Sequence, residues 1–170
     1  LNQCANCDLT DADLAGLDLS FAYLKSARLQ RANLSSTNLT GSNLQDANLR
    51  AANLRAANLT NAHLKDVNFK QAVLTNANLQ WAYLEDANLE YTDLQSANLY
   101  GAHLEHANLE RSNLSGANLT HSILENADLE QADLQHAILE DTNFGNANLR
   151  DVQLDKAGCR QANQLDMCRQ

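Results

Sequence analysis

The chain has 170 residues, a formal net charge of -9, no proline and six glycines. Its length fits a single domain, and its acidic balance excludes a general nucleic-acid binder or an anionic-membrane binder, either of which would carry a strongly basic face. No apolar run approaches the roughly 18 residues that a bilayer span requires, and the opening residues form no signal-like segment, as expected of a mature or trimmed product.

Residues 1–7 read as an N-terminal cap holding Cys4 and Cys7. A five-residue phrase then takes over. From Leu9 to Leu154 every fifth residue is leucine except Phe69 and Phe144, giving thirty large apolar centres in unbroken register. Two residues before each centre stands mostly alanine, with serine, threonine, valine, Leu17 and Cys7 as exceptions; one before it stands mostly asparagine or aspartate. A helix is rejected, because its period of about 3.6 would smear the leucines around its circumference. Within one unit the alanine and leucine are two apart, so in extended chain both share one face and the asparagine between them points the other way. The remaining two residues can turn a corner. Repeated, this builds a coil whose turns stack as parallel strands about 4.8 Å apart, with leucines filling the axis.

Breaks in the consensus count the sides. Tyr23, His63, Tyr83, His103 and Ile123 replace the usual asparagine or aspartate at spacings that are multiples of twenty, with Asn43 the skipped member. Phe21, Trp81 and His121, two residues upstream of that column, form a second series of the same period. Twenty residues are four units, so a square coil aligns all eight on one side.

The repeat decays after Leu154, and residues 157–170 read as a C-terminal cap, a short helix or turn in which Leu165 and Met167 plug the last coil. Cys159 and Cys168 lie there, most of a rod roughly 36 Å long away from Cys4 and Cys7, which rules out one four-cysteine zinc site. A local disulfide within each pair is the best account, stapling a fraying end. A redox-active Cys4–Cys7 pair and reduced core thiols are the alternatives, the latter because both residues fall at inward positions of the register.

The runs "ANLRAANLRAANL", "ANLQWAYLEDANLEYTDL" and "ANLERSNLSGANL" resemble the pentapeptide-repeat family over about residues 8–156. The resemblance implies an all-β fold, a right-handed quadrilateral parallel β-helix of five-residue sides, here with about 7.5 coils and short terminal caps. Similarity to cyanobacterial and plant members with disulfide-bearing ends, together with the cysteine pairs, points to an oxidising compartment, the periplasm or a thylakoid lumen, with the cytoplasm as the alternative.

Uninterrupted repetition leaves no inserted loop, the usual carrier of catalytic residues, so no enzyme, cofactor or metal is expected. His63 and His103, two coils apart at about 9.6 Å, are too distant to share a metal. Charge is uneven: residues 25–70 hold seven basic and two acidic residues, net +5, and residues 81–141 hold twelve acids against Arg111, net -11. This dipole is either a solvated surface or a field that orients a partner, in a monomer or a weak head-to-tail association. Phe21, Tyr23, His63, Trp81, Tyr83, His103, His121 and Ile123 form the candidate interaction face, with cross-strand packing as the competing account; Gly41, Asn43 and Gly101 are expected to divide it into two patches. A non-catalytic scaffold or protein-interaction rod with an unidentified protein partner follows. The alternative implied by the family resemblance is a DNA mimic binding a type II topoisomerase, which the basic segment disfavours.

Overall fold

The structure is a computed structural model describing residues 3–155. Every β-bridge is parallel and joins residues twenty apart, from Gln3 with Tyr23 to Asp133 with Gln153. Four five-residue sides therefore complete each coil, and the coils stack in register as a parallel β-helix. The regular coil already includes Gln3, further toward the N-terminus than the repeat centres themselves. The expected C-terminal cap, with Cys159 and Cys168, lies outside the described residues.

Each unit closes on itself before it pairs with its neighbours. Ala27 N–H donates to the Leu24 carbonyl at 3.0 Å, so Lys25 and Ser26 are the central residues of a turn. Ser26 has a φ of 56°, and positive φ recurs at every fifth residue from Asn6 to Asp151. Positive φ at the second central residue alone marks a type II turn. Glycine normally fills that position, yet here all but four of the corners carry a side chain, at roughly 1–2 kcal/mol each where the residue is not Asn or Asp. The strain is offset because the left-handed residues from Asn6 to Gln131 each donate an N–H to a carbonyl of the next coil, as Ser26 does to Gln45 at 2.8 Å. The missing proline and glycine are thus replaced by a corner that the stacked coil holds in place.

The asparagine consensus has an equally local cause. Leu44 N–H bonds up the stack to the His63 carbonyl and Asn43 N–H bonds down to the Ala22 carbonyl. The first corner residue is left over, and its N–H is taken by the asparagine side chain two residues earlier: Gln45 N–H to Asn43 Oδ1 at 3.0 Å, Thr60 N–H to Asn58 Oδ1 at 3.1 Å. Asparagines also link between coils, as Asn33 does to Asp13 at 2.9 Å. With Asn or Asp in place, all five N–H groups of a unit are paired.

Inside, the leucines from Leu24 to Leu139, with Phe69, are at most 1 % exposed, and the flanking alanines fill the space between them. Polar residues at the small position close onto carbonyls of the wall: Thr37 Oγ1 donates to Leu14 O at 2.8 Å and Ser122 Oγ to Leu119 O at 2.6 Å. Val67 is fully enclosed, so the axis tolerates one extra branch. Leu17 behaves differently, at 42 % exposure in the first described coil, where packing partners stand on one side only.

Candidate interaction face

The coil brings the eight sequence-predicted residues to one side and its leading corner. Tyr23, Asn43, His63, Tyr83, His103, Ile123 and Asn143 form one continuous bridge column, called here the aromatic side. Phe21, Trp81 and His121 occupy the left-handed corner position entering it, with φ of 56°, 56° and 59°. Tyr100 stands next to that corner. It packs edge-on against Trp81 at 5.2 Å and against His121 at 5.3 Å. Tyr100 is not among the eight sequence-predicted residues, although its position one residue before Gly101 signals the same corner.

The glycines do not interrupt this surface. A Cβ at Gly41 would come within 2.7 Å of the Phe21 ring, and one at Gly101 would fall even deeper into the Trp81 ring. Each aromatic corner therefore lies flat across the glycine of the next coil, and Gly101 is buried beneath Trp81. Phe21 and Trp81 roof over the gaps at Gly41 and Gly101, while Asn43 still separates Tyr23 from His63.

On the flat side His63 stacks on Tyr83 at 5.0 Å and Tyr83 on His103 at 5.4 Å. Such stacking is worth about 0.5–1.5 kcal/mol per pair, comparable with the roughly 1 kcal/mol of the asparagine corner bond it replaces. Packing thus accounts for the middle of the column. It leaves Phe21 at 77 % and Tyr23 at 39 % exposure with no aromatic neighbour, and Trp81 and Tyr83 at 45 % and 38 %. Among the described residues six positions of this column, Gln3 included, have surrendered the corner bond, against one or two on each of the other three sides (Arg28; Val73 and Gln153; Ile138). Tyr91, on another corner, is already engaged: Arg111 donates to its hydroxyl and Lys70 lies 5.8 Å from its ring.

The charge dipole is stitched at both of its boundaries. Arg28 and Arg31 pair with Asp8 and Asp11 at 2.7 and 2.5 Å, and Lys65 and Lys70 with Asp86 and Glu90 at 3.2 and 2.5 Å. Four of the seven cations in residues 25–70 thus turn toward acids outside the segment, which shrinks the field available for head-to-tail association. The guanidinium of Arg28 holds the Asp8 carboxyl well below the ordinary carboxylate range, with Thr10 adding further hydrogen bonds. Arg31 does the same for Asp11, and the Ser20 backbone N–H for Asp18. A carboxyl whose pKa falls on folding stabilises the fold above its ordinary pKa and loses that contribution as pH drops through the lowered value. Acidification from about pH 5 to about pH 2 is therefore expected to loosen the first coils before the centre, read as amide exchange. The effect should shrink in high salt because these groups are exposed. Exchange that rises uniformly along the rod would contradict it.

Cys4 and Cys7 form a disulfide across the first described corner, with Cα atoms 5.3 Å apart. A shallow depression lined by Gln30, Arg31, Asn48, Arg50, Ala51 and Gln71 lies away from the aromatic side. Among the described residues no helix is long and apolar enough to cross a membrane.

Comparison with known proteins agrees with this geometry. The family described as Pentapeptide repeats matches in eight overlapping copies between residues 3 and 163. Among solved structures, a trypsin-treated variant of QnrB1, a plasmid-mediated fluoroquinolone resistance protein, is 24% identical with a TM-score of 0.59, over 88% of this chain and 78% of that one. HetL, involved in heterocyst differentiation regulation in the cyanobacterium Nostoc, is 28% identical with a TM-score of 0.37, over 89% and 87%. A protein of the Arabidopsis thaliana thylakoid lumen is 29% identical with a TM-score of 0.31, over 56% and 59%. No curated protein sequence matches. The repeat match along nearly the whole chain, on a coil of four five-residue sides, places this protein in the pentapeptide-repeat family, with that family's right-handed quadrilateral β-helix.

Proposed function

We propose that the protein is a non-catalytic rigid rod that binds a protein partner along its aromatic side, in an oxidising compartment such as the periplasm or a thylakoid lumen. One observation supports this reading above the others: one of four otherwise equivalent sides has exchanged its asparagine corner bonds for exposed rings, and stacking does not account for Phe21 and Tyr23. Half-exposed aromatics gathered on a rigid surface make contact area at small entropic cost. The Cys4–Cys7 disulfide favours export, since such bonds persist where thiols are not kept reduced. The regular wall without inserted loops favours binding over catalysis.

The test is crosslinking in extract from the native compartment. Replacing Trp81 and Tyr83 by asparagine, the residue that corners of this coil already accommodate, is expected to remove a discrete crosslinked partner while leaving the circular-dichroism spectrum unchanged. An unchanged partner set would reduce the side to cross-strand packing. The acidic stretch 81–141 supports a second reading, a DNA mimic acting on a type II topoisomerase. Inhibition or protection of gyrase supercoiling at stoichiometric protein would favour it; no effect would remove it.

A further inference from the structure

The trailing corner of the aromatic side carries chemistry that the stacked rings do not explain. Glu85 and Glu105 occupy the same corner position on successive coils, and His103 lies on the flat side just before Glu105. Donor atoms of these three side chains all lie within 4.8 Å of one another. The His103 Nδ1 faces Glu105 Oε1 at 3.4 Å, and the imidazole is held in that orientation by its stack on Tyr83.

The second carboxylate oxygens make the arrangement informative. Glu85 Oε2 and Glu105 Oε2 are both shielded from solvent and meet no hydrogen-bond donor. The other two such atoms among the described residues, Thr75 Oγ1 and Ser112 Oγ, are hydroxyls, which can rotate a proton toward an acceptor. An ionised carboxylate only accepts, so it requires a donor or a cation. Lys65, one coil below Glu85, acts on that carboxylate only through its charge: its ammonium lies 3.2 Å from Asp86, bonds there, and donates to neither shielded oxygen. One carboxylate oxygen of each glutamate and one nitrogen of an oriented imidazole thus meet at a corner where two further shielded, acceptor-only oxygens lack a donor.

We infer that Glu85, His103 and Glu105 form a binding site for a divalent first-row transition-metal ion. Two carboxylate oxygens and one imidazole nitrogen are a mixed donor set suited to zinc and its neighbours, and less to calcium, which prefers oxygen alone. Closing around an ion asks only for small rotations of three partly exposed side chains, since the coil fixes their Cα positions. The remaining coordination positions face solvent or whatever docks on this side. The inference stands independently of any protein partner.

Titration calorimetry with zinc chloride on tag-free full-length protein tests it, with calcium chloride as the hard-ion comparison. One zinc per chain is expected, bound more tightly than calcium. Glu105→Gln and His103→Gln should each weaken it by at least about tenfold, because even outer partners of metal ligands are worth roughly 10–100-fold. His136→Asn, at a histidine whose Nδ1 lies 2.9 Å from Asp155, should leave it unchanged. Glutamine already stands at Gln45 in the same corner column, so Glu105→Gln is compatible with the coil. Without metal that variant should melt no lower than the parent, because a like charge is removed, while losing the zinc-induced rise in Tm. Zinc binding that both substitutions leave intact, calcium bound as tightly as zinc, or no zinc binding would each overturn the assignment.

Discussion

Replacing Gly101 by alanine is expected to destabilise the rod by about 1–3 kcal/mol more than replacing Gly16 by alanine, the usual range for overpacking. The two glycines have nearly the same backbone, with φ of 64° and 67°, so the strain of a left-handed alanine cancels in the comparison. What differs is the neighbour. A Cβ on Gly16 meets nothing within 4 Å, whereas one on Gly101 runs into the six-membered ring of Trp81. The alanine must lift the indole from its seat, which should appear as a red shift of tryptophan emission alongside the loss in urea stability. In a Trp81→Ala background the same Gly101→Ala change should cost no more than at Gly16. Equal costs at the two glycines in the parent protein would mean that the indole does not select the glycine beneath it.

Truncating the core should produce the other large effect. Leu84→Ala is expected to cost about 2–5 kcal/mol, because the side chain is fully buried and a narrow axis cannot collapse around the cavity. The same truncation at Leu9, which is only partly buried beside the end of the described coil, should cost less. Each coil touches only its neighbours, so stability is close to a sum of local and nearest-neighbour contributions. Amide exchange in Leu84→Ala should therefore rise most in the coils flanking residue 84. Indistinguishable losses at Leu84 and Leu9 would contradict a core built from nearest-neighbour layers.

The period, the inward pair and the four-sided coil were legible in the sequence because each rests on side-chain volume and alternation repeated thirty times. Tyr23, His63 and Tyr83 could be placed on one side because departures from a strict consensus keep the coil's own period. The roofing of Gly41 by Phe21 and Gly101 by Trp81 left a signal in the sequence, an aromatic followed by glycine twenty residues later. Its meaning needed the corner geometry, since a gap and a seat for a ring are spelled the same way. Leu17 stands at an inward position of the repeat, but the effect of the end of the stack on its burial is not written in the repeat. Glu85, His103 and Glu105 were missed for a different reason: histidines were compared with histidines along their own column, whereas the cluster crosses from the flat side to its trailing corner. The charge dipole was visible as a count, and only the stack revealed that Arg28, Arg31, Lys65 and Lys70 are paired across its boundaries.

The central claim is that one side of the rod is a contact surface and the others are wall. Photo-crosslinking in native extract tests it most directly, with p-benzoylphenylalanine placed in turn at Tyr83 on the aromatic side and at Val73 in the column two sides away. A discrete adduct from position 83 and none from position 73 is the predicted result. Adducts of equal yield from both positions, or none from position 83, would contradict the account.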